Sequence, residues 1–343
     1  MTHYSRILLH VLSAAWALEP GALARLSAIL APRIAGQRLS DEDISARLEA
    51  AAVERAASRG ASAIRPGSIA VMPIVGLMLG RSEALERTSG AVSTQQMAEQ
   101  FRALAANPAI DGIVLDMDSP GGEASGVAEF ADAVFEARAR KPVVALANSL
   151  MGSAAYWVGS AGSELMATPS ALVGSIGVYA AHEDLSKALE AEGITMSLIS
   201  AGQDKVLGNP FEPLSQDGRA MIQERVDGFY DLFVRAVARG RGVAQKTVRE
   251  GFGRGRVVMA AEAVTLGMAD AVGTIEDAVA LAAKRAGVRM SAHATAETPA
   301  VVADTDLDAR QRWHMGAEIG RRHGSDYACE ECRAGTCLSR HLA

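Results

Sequence analysis

Asp118-Ser119-Pro120-Gly121-Gly122 follows the apolar run Ile113-Val114-Leu115, and Met151-Gly152-Ser153-Ala154-Ala155-Tyr156-Trp157 follows Val143-Val144-Ala145-Leu146. Each stretch reads as a buried strand, a sharp turn of small residues, and then a helix. Such a turn leaves free backbone N–H groups at the helix start, where the peptide dipoles present a positive end. Glycine lets a ligand come close to that backbone. Two such turns side by side form a place for an oxyanion, and Ser153 stands at the second.

Outward from these turns, strands alternate with helices. The main domain is expected to begin after Pro66-Gly67, with a strand from Ile69 to Leu79 that contains Pro73. Ser93 and Gln96 form a capping box for a helix carrying Met97, Phe101 and Leu104 on one face. A helix with Val127, Phe130 and Val134 inward follows the first turn, and a short helix to about Gly159 follows the second. Further strands are expected over Glu164–Ala167, Ile176–Ala180 and Thr195–Ile199, with a helix over Leu185–Glu192 closed by Gly193. Residues 216–238 predict a long helix that buries Met221, Ile222, Val226, Phe229, Tyr230, Phe233 and Val237. A last unit runs from Arg256 to Ala286. The class is α/β with a largely parallel sheet.

Residues 1–66 read as an N-terminal helical segment, from the spacing of Leu23, Leu26, Ile29 and Leu30 and an Ala/Glu/Arg-rich helix from Ser40 to about Arg59. Ala15-Trp16-Ala17 also mimics a small-x-small cleavage site, so a secretory signal is the competing reading there. No stretch reaches about 18 uninterrupted apolar residues, so no transmembrane helix is expected. The peptidase-like body is expected over 67–287, a low-periodicity linker over 288–310, and a Cys/His-containing tail over 311–343. With 49% hydrophobic and 22% charged residues and a net charge of −6, the chain is ordinary globular protein and offers no electrostatic case for nucleic acid. Its three cysteines all lie in the tail, so the body has no disulfide framework.

Ser119-Pro120-Gly121-Gly122, the Gly152–Trp157 turn, Leu172-Val173-Gly174-Ser175-Ile176-Gly177-Val178, Ser200–Lys205 and Gly267-Met268-Ala269-Asp270 together resemble the signal peptide peptidase A (SppA) family of serine peptidases. The likeness covers about residues 68–286 and keeps the five motifs in order. It implies a ClpP/crotonase-type fold of repeated β-β-α units and a Ser-Lys dyad. The match puts the nucleophile at Ser153, the general base at Lys205, and a hydroxyl that helps hold the lysine at Ser175. One departure stands out: the family's usual Ala-Ser-Gly-Gly turn is Gly-Ser-Ala-Ala here.

Elementary chemistry fits those roles. A serine hydroxyl attacks well only when a base takes its proton. A lysine amine is a base only when neutral, and burial favours the neutral form. Val206 and Leu207 after Lys205 therefore predict a buried amine. The backbone N–H groups of Gly122 and Ala154 are the expected oxyanion-hole donors. A Ser-His-Asp triad would have to use His182, the only histidine between residues 11 and 292, with Asp184 or Asp204; a helix-start or surface role suits His182 better. No G-x-S-x-G or S-x-x-K pattern surrounds Ser153, which disfavours α/β-hydrolase and penicillin-binding types.

In the tail, Cys329, Cys332, Cys337 and His341 are candidate ligands of a structural zinc, opposed by the reading of a disordered tail with reactive thiols. The dyad itself needs no cofactor. Arg239-Gly240-Arg241-Gly242 and Gly253-Arg254-Gly255-Arg256 read as helix-end and turn chemistry, not RNA binding. The resulting expectation is a serine endopeptidase of the phage head-maturation branch. Its substrates would be capsid, scaffold or portal proteins, its form a homo-oligomer, and its place the host cytoplasm at the procapsid. Alternatives are a membrane-associated signal peptide peptidase, a non-catalytic capsid scaffold protein and an acyl-CoA crotonase-like enzyme.

Overall fold

The computed structural model describes residues 15–19, 68–80 and 92–288. Its centre is a pair of parallel strands, β5 (Ile110–Ser119) and β7 (Val143–Gly152), whose apolar runs are buried on both faces. On one side β5 pairs in parallel with β2 (Ser68–Val75). On the other side β7 divides its length between two parallel partners. Val144–Ala147 pair with β8 (Glu164–Ala167), and Leu150–Gly152 with β9 (Leu172–Gly174). Ser149, with φ 95°, marks the place where β7 changes partner. Strand β10 (Val257–Met259) closes antiparallel on β9, and β11 (Ala271–Val272) pairs in parallel with β8. The expected α/β class with a largely parallel sheet holds.

Alternation along the central strands sends side chains to two layers. Ile113, Leu115, Met117, Val143 and Ala145 pack with α1 (Thr94–Ala106), α2 (Val127–Ala137) and α3 (Ala154–Gly159). Phe101 of α1 meets Phe130 of α2 with ring centroids 6.0 Å apart. Val114, Val144 and Leu146 face the other way, onto Ala278 and Ala282 of the helix at Ile275–Ala286. The Ser93 hydroxyl caps α1 by accepting from the Gln96 amide at 3.3 Å, as the sequence predicts.

A second, smaller sheet carries, among the described residues, the strands at 16–18, 121–123, 78–79 and 92–93 in that order. Its strands are β1 (Trp16–Leu18), β3 (Met78–Leu79), β4 (Val92–Ser93) and β6 (Gly121–Glu123). Five expectations change across the fold. Residues 16–18 form a strand, not part of a helix, because their backbone groups are drawn into ladders with distant partners. The rest of the helical reading of 1–66 lies outside the described residues. The expected strand from Ile69 to Leu79 breaks at Gly76 (φ 94°), and its two parts join different sheets. Pro73 is tolerated because β2 pairs on one side only among the described residues. Gly121 and Gly122 belong to a strand, and α2 starts only after Gly126. The expected strand Thr195–Ile199 is absent, with Ile199 98% exposed. Within 176–180, Tyr179 alone makes an isolated bridge.

The long helix α5 (Gln216–Arg241) follows α4 (Ser186–Ala191). Its C-terminal half is core, with Phe233 stacked on Trp157 at 4.6 Å. The apolar stripe of its N-terminal half stays partly exposed, contrary to expectation; Met221 is an exposed residue. Arg241, in the last turn, forms a two-bond pair with Asp270 at 2.8 and 2.6 Å, and Asp270 also accepts from the Leu165 amide. The arginine-glycine run at 239–242 is thus helix-end chemistry, with Gly242 as the left-handed cap. Burial alone would raise the Asp270 carboxyl, but the Arg241 guanidinium and the Leu165 amide outweigh it and hold the group below its ordinary value.

Two predictions come from this framework. Asp270→Asn should cost about 3 kcal/mol in denaturant unfolding, since it strands a buried guanidinium. A depressed carboxyl stabilises above its unfolded pKa and loses that effect as pH falls through its folded one, so the parent's advantage should shrink on acidification and vanish below that range. Gly122→Ala should be worse still: its Cβ would stand 1.7 Å from the Met78 carbonyl oxygen, backbone that cannot yield, at a cost of about 3 kcal/mol or more. Parent-like melting of either variant would contradict the packing described.

Candidate active site

Strand β7 ends at Gly152, and α3 begins at Ala154, so Ser153 alone makes the turn. It does so at φ 52° and ψ −113°, a conformation unfavourable for a residue with a Cβ. Its backbone is held by two ladders: the Ser153 amide donates to the Gly174 carbonyl at 2.7 Å, and Gly152 is paired with Gly174. Ser153 is fully buried, and its hydroxyl donates to the Gly177 carbonyl at 3.4 Å. Ser175 follows Gly174 on the neighbouring strand, is itself buried, and also has positive φ, 56°. The ladder thereby brings Ser153 and Ser175 to the same strand end.

The Pro120-Gly121-Gly122 turn lies across from Ser153. Ser119 fixes it, its hydroxyl donating to the Gly76 carbonyl at 2.7 Å and accepting from the Gly121 amide at 3.2 Å. A Cβ on Gly121 would be 2.8 Å from the Ala154 nitrogen, so this turn faces the start of α3 closely. As the first residue of that helix, Ala154 has an amide with no intrahelical acceptor. Gly122 is differently placed from expectation. It sits inside the β6 ladder, opposite Ala17 of β1.

Lys205 departs further from the sequence reading. It lies on an exposed segment after α4, not in a buried one, with its amide donating to the Gly202 carbonyl at 3.2 Å. Its side chain makes no hydrogen bond or ion pair among the described residues, and the Ser153 hydroxyl is turned to Gly177 instead. The apolar Val206 and Leu207 are a local signal, whereas burial here depends on what packs over residues 181–214. The structure therefore brings together Ser153, Ser175, Gly122 and Ala154 and leaves Lys205 exposed, with no hydrogen bond to Ser153 among the described residues.

The competing histidine is accounted for. The His182 Nε2 is paired with the Asn209 carbonyl at 3.0 Å, and Asp184 accepts from the Ser186 amide and hydroxyl, which holds its carboxyl below the ordinary value. Cys329, Cys332, Cys337 and His341 lie outside the described residues, as does the expected linker beyond residue 288; among the described residues no three or more metal-ligating side chains cluster.

Sequence reasoning missed two contributors. One is the Gly177–Tyr179 segment, expected as a strand but here supplying the acceptor for Ser153. The other is β1 itself, whose Trp16 exchanges backbone bonds with Tyr179 at 2.8 and 3.0 Å. Burial and the nearby Glu19 carboxylate push the Tyr179 phenol up to about 12. The run Ala15–Leu18, followed by Glu19 and Pro20, resembles the opening segment of phage members of the family but carries no periodicity that marks a strand.

Residues 136–289 match the model of peptidase family S49. Capsid assembly protease C of Escherichia phage lambda is 36% identical over 211 residues, covering 62% of this chain and 48% of that protein. Head-tail preconnector protein GP5 of Enterobacteria phage P21 is 34% identical over 180 residues, covering 52% and 36%. A putative signal peptide peptidase SppA of Enterococcus faecium is 31% identical over 189 residues, covering 54% of each. The chain spans about half the length of the first of these, and less of the second. Residues 136–289 are thus similar to peptidase family S49, in keeping with the resemblance read from the motifs.

Proposed function

We propose that the chain is a serine endopeptidase that cleaves phage head proteins during assembly. The observation that carries the chemistry is Ser153: one residue in a strained strand-to-helix turn, buried, with the free amide of Ala154 beside it. The setting rests on the capsid assembly protease and the head-tail preconnector protein among its relatives. A membrane-associated signal peptide peptidase is the second reading, supported by the SppA relative; among the described residues no helix is long and apolar enough to cross a membrane.

In the proposed reaction the Ser153 oxygen attacks the peptide carbonyl, and its proton passes to the Lys205 amine. The oxyanion is met by backbone N–H groups of Gly122 and Ala154, each worth a few kcal/mol in the transition state. The peptide C–N bond breaks, the lysine returns the proton to the departing amine, and water then hydrolyses the acyl-serine. Ser175 orients the lysine. For this, residues 181–214 must pack down so that Lys205 reaches Ser153. Ile194, Met196 and Ile199, all exposed around the lysine segment, offer an apolar surface for a second copy, which is why we read the active form as a homo-oligomer. We keep Cys329, Cys332, Cys337 and His341 as a proposed structural zinc site; elemental analysis of the full chain should find about one zinc, lowered by Cys332→Ser.

The test is cleavage of the phage's own portal, scaffold and capsid proteins, followed by gel and mass spectrometry. Ser153→Ala should abolish cleavage and leave the fold intact. Lys205→Arg should be as inactive as Lys205→Ala, because arginine keeps the charge but does not deprotonate at working pH. Ser175→Ala should slow turnover less than either. Full activity of Ser153→Ala would remove the nucleophile assignment, and near-normal turnover of Lys205→Arg would remove the base.

A further inference from the structure

Strand β1 is three residues long, yet Trp16 and Ala17 are fully buried and Leu18 nearly so. Its backbone bonds explain why. The Ala124 amide donates to the Ala15 carbonyl at 2.9 Å, and the Glu19 amide donates to the Pro120 carbonyl at 2.8 Å. Bonded pairs alternate along an antiparallel ladder, so Ala17 and Gly122, paired between those two, exchange bonds as well. The Gly122 amide thus donates to the Ala17 carbonyl. Trp16 points its own backbone groups the opposite way, to Tyr179. The segment is an extended strand held from both sides.

Both walls of that slot flank Ser153. One wall, Gly177–Tyr179, includes the carbonyl that accepts from the Ser153 hydroxyl. The other, Gly121-Gly122, faces the Ala154 amide. A Cβ on Gly121 would lie 2.4 Å from the Ala17 carbonyl oxygen and 2.8 Å from the Ala154 nitrogen, so those two atoms face the same small space. Gly122 and Ala154 are the two donors proposed for the oxyanion, and the carbonyl presented to them belongs to Ala17.

The geometry points to Ala15–Glu19 as an intramolecular occupant of the slot that receives the extended substrate backbone, with Ala17 where the residue bearing the attacked carbonyl would sit. This rests on the peptidase reading above. In this arrangement the occupant is held, not cut, because the Ser153 hydroxyl is committed to Gly177 and Lys205 is elsewhere. Other peptides enter only when the segment leaves. The slot then selects peptides with small residues at the positions of Ala15 and Ala17.

The test uses the full-length chain and a labelled peptide, Ala-Ala-Trp-Ala-Leu-Glu-Pro, corresponding to residues 14–20. Ala17→Pro deletes the amide that donates into the β6 ladder and replaces none of the proposed catalytic residues, Gly122 being its ladder partner. By fluorescence anisotropy it should bind the peptide at least about tenfold more tightly than the parent, a difference of about 1.4 kcal/mol. The gain should persist when Ser153→Ala is added, since binding needs no chemistry. Trp16→Ala, which weakens the same strand, should shift affinity in the same direction and serves if circular dichroism shows that Ala17→Pro is unfolded. In the unmodified chain, hydrogen exchange at the Gly122 and Tyr179 amides should be slow. Equal peptide affinity in parent and folded variant, or rapid exchange at those amides, overturns the proposal. Tighter peptide binding by the variant together with no Ser153-dependent cleavage of any phage head protein would support the occupied slot and remove the peptidase reading. Ser153-dependent hydrolysis at equal rates in parent and Ala17→Pro would do the reverse.

Discussion

Parallel pairing of β7 with β5 on one side and β9 on the other fixes the backbone at Gly152, and the site is built outward from that point. A serine at φ 52° is not a conformation the residue would hold alone. It is held because the Ser153 amide is bonded to Gly174 and α3 is buried from its first residue. The cost of the turn, of order 1–3 kcal/mol, is offset by core burial of the strands on either side. The same pairing brings Ser175 alongside and sets the Ala154 amide toward Gly121.

The second sheet depends on this arrangement in turn. Gly121 and Gly122 approach Ala154 and Met78 so closely that a methyl group has no room at either position. Glycine there serves close approach, and the ladder it forms with β1 is a product of the same bareness. A buried Ser153 and a strand laid against the glycine turn beside it therefore follow from the same close backbone approach.

The parts of the fold that were legible in the sequence are those decided locally. Ile113–Leu115 and Val143–Leu146 are apolar without alternation, and only strands buried on both faces take that pattern. Ser93, Gly193 and Gly242 mark helix ends through cap chemistry that needs no tertiary partner. Ser153 was legible as a turn residue, from small residues between a buried strand and a helix; its reading as a nucleophile rested on the family resemblance. Trp16–Leu18 was not, since a three-residue strand carries no period and its partners lie about a hundred residues away. The burial of Lys205 was misread for the opposite reason: Val206 and Leu207 suggested a covered amine, but residues 181–214 are mostly exposed or half-buried in the single chain. The N-terminal half of α5 errs in the same way, its apolar stripe facing that same thinly covered region.

The central claim is that Ser153 is the nucleophile and depends on Lys205. Full-length protein incubated to completion with a fluorophosphonate, then digested and analysed by mass spectrometry, tests it directly. The account predicts a single phosphonyl group, on Ser153, and none when Lys205→Ala is treated in the same way. Modification of a different serine, Ser175 included, or undiminished labelling of Ser153 in Lys205→Ala, would contradict it.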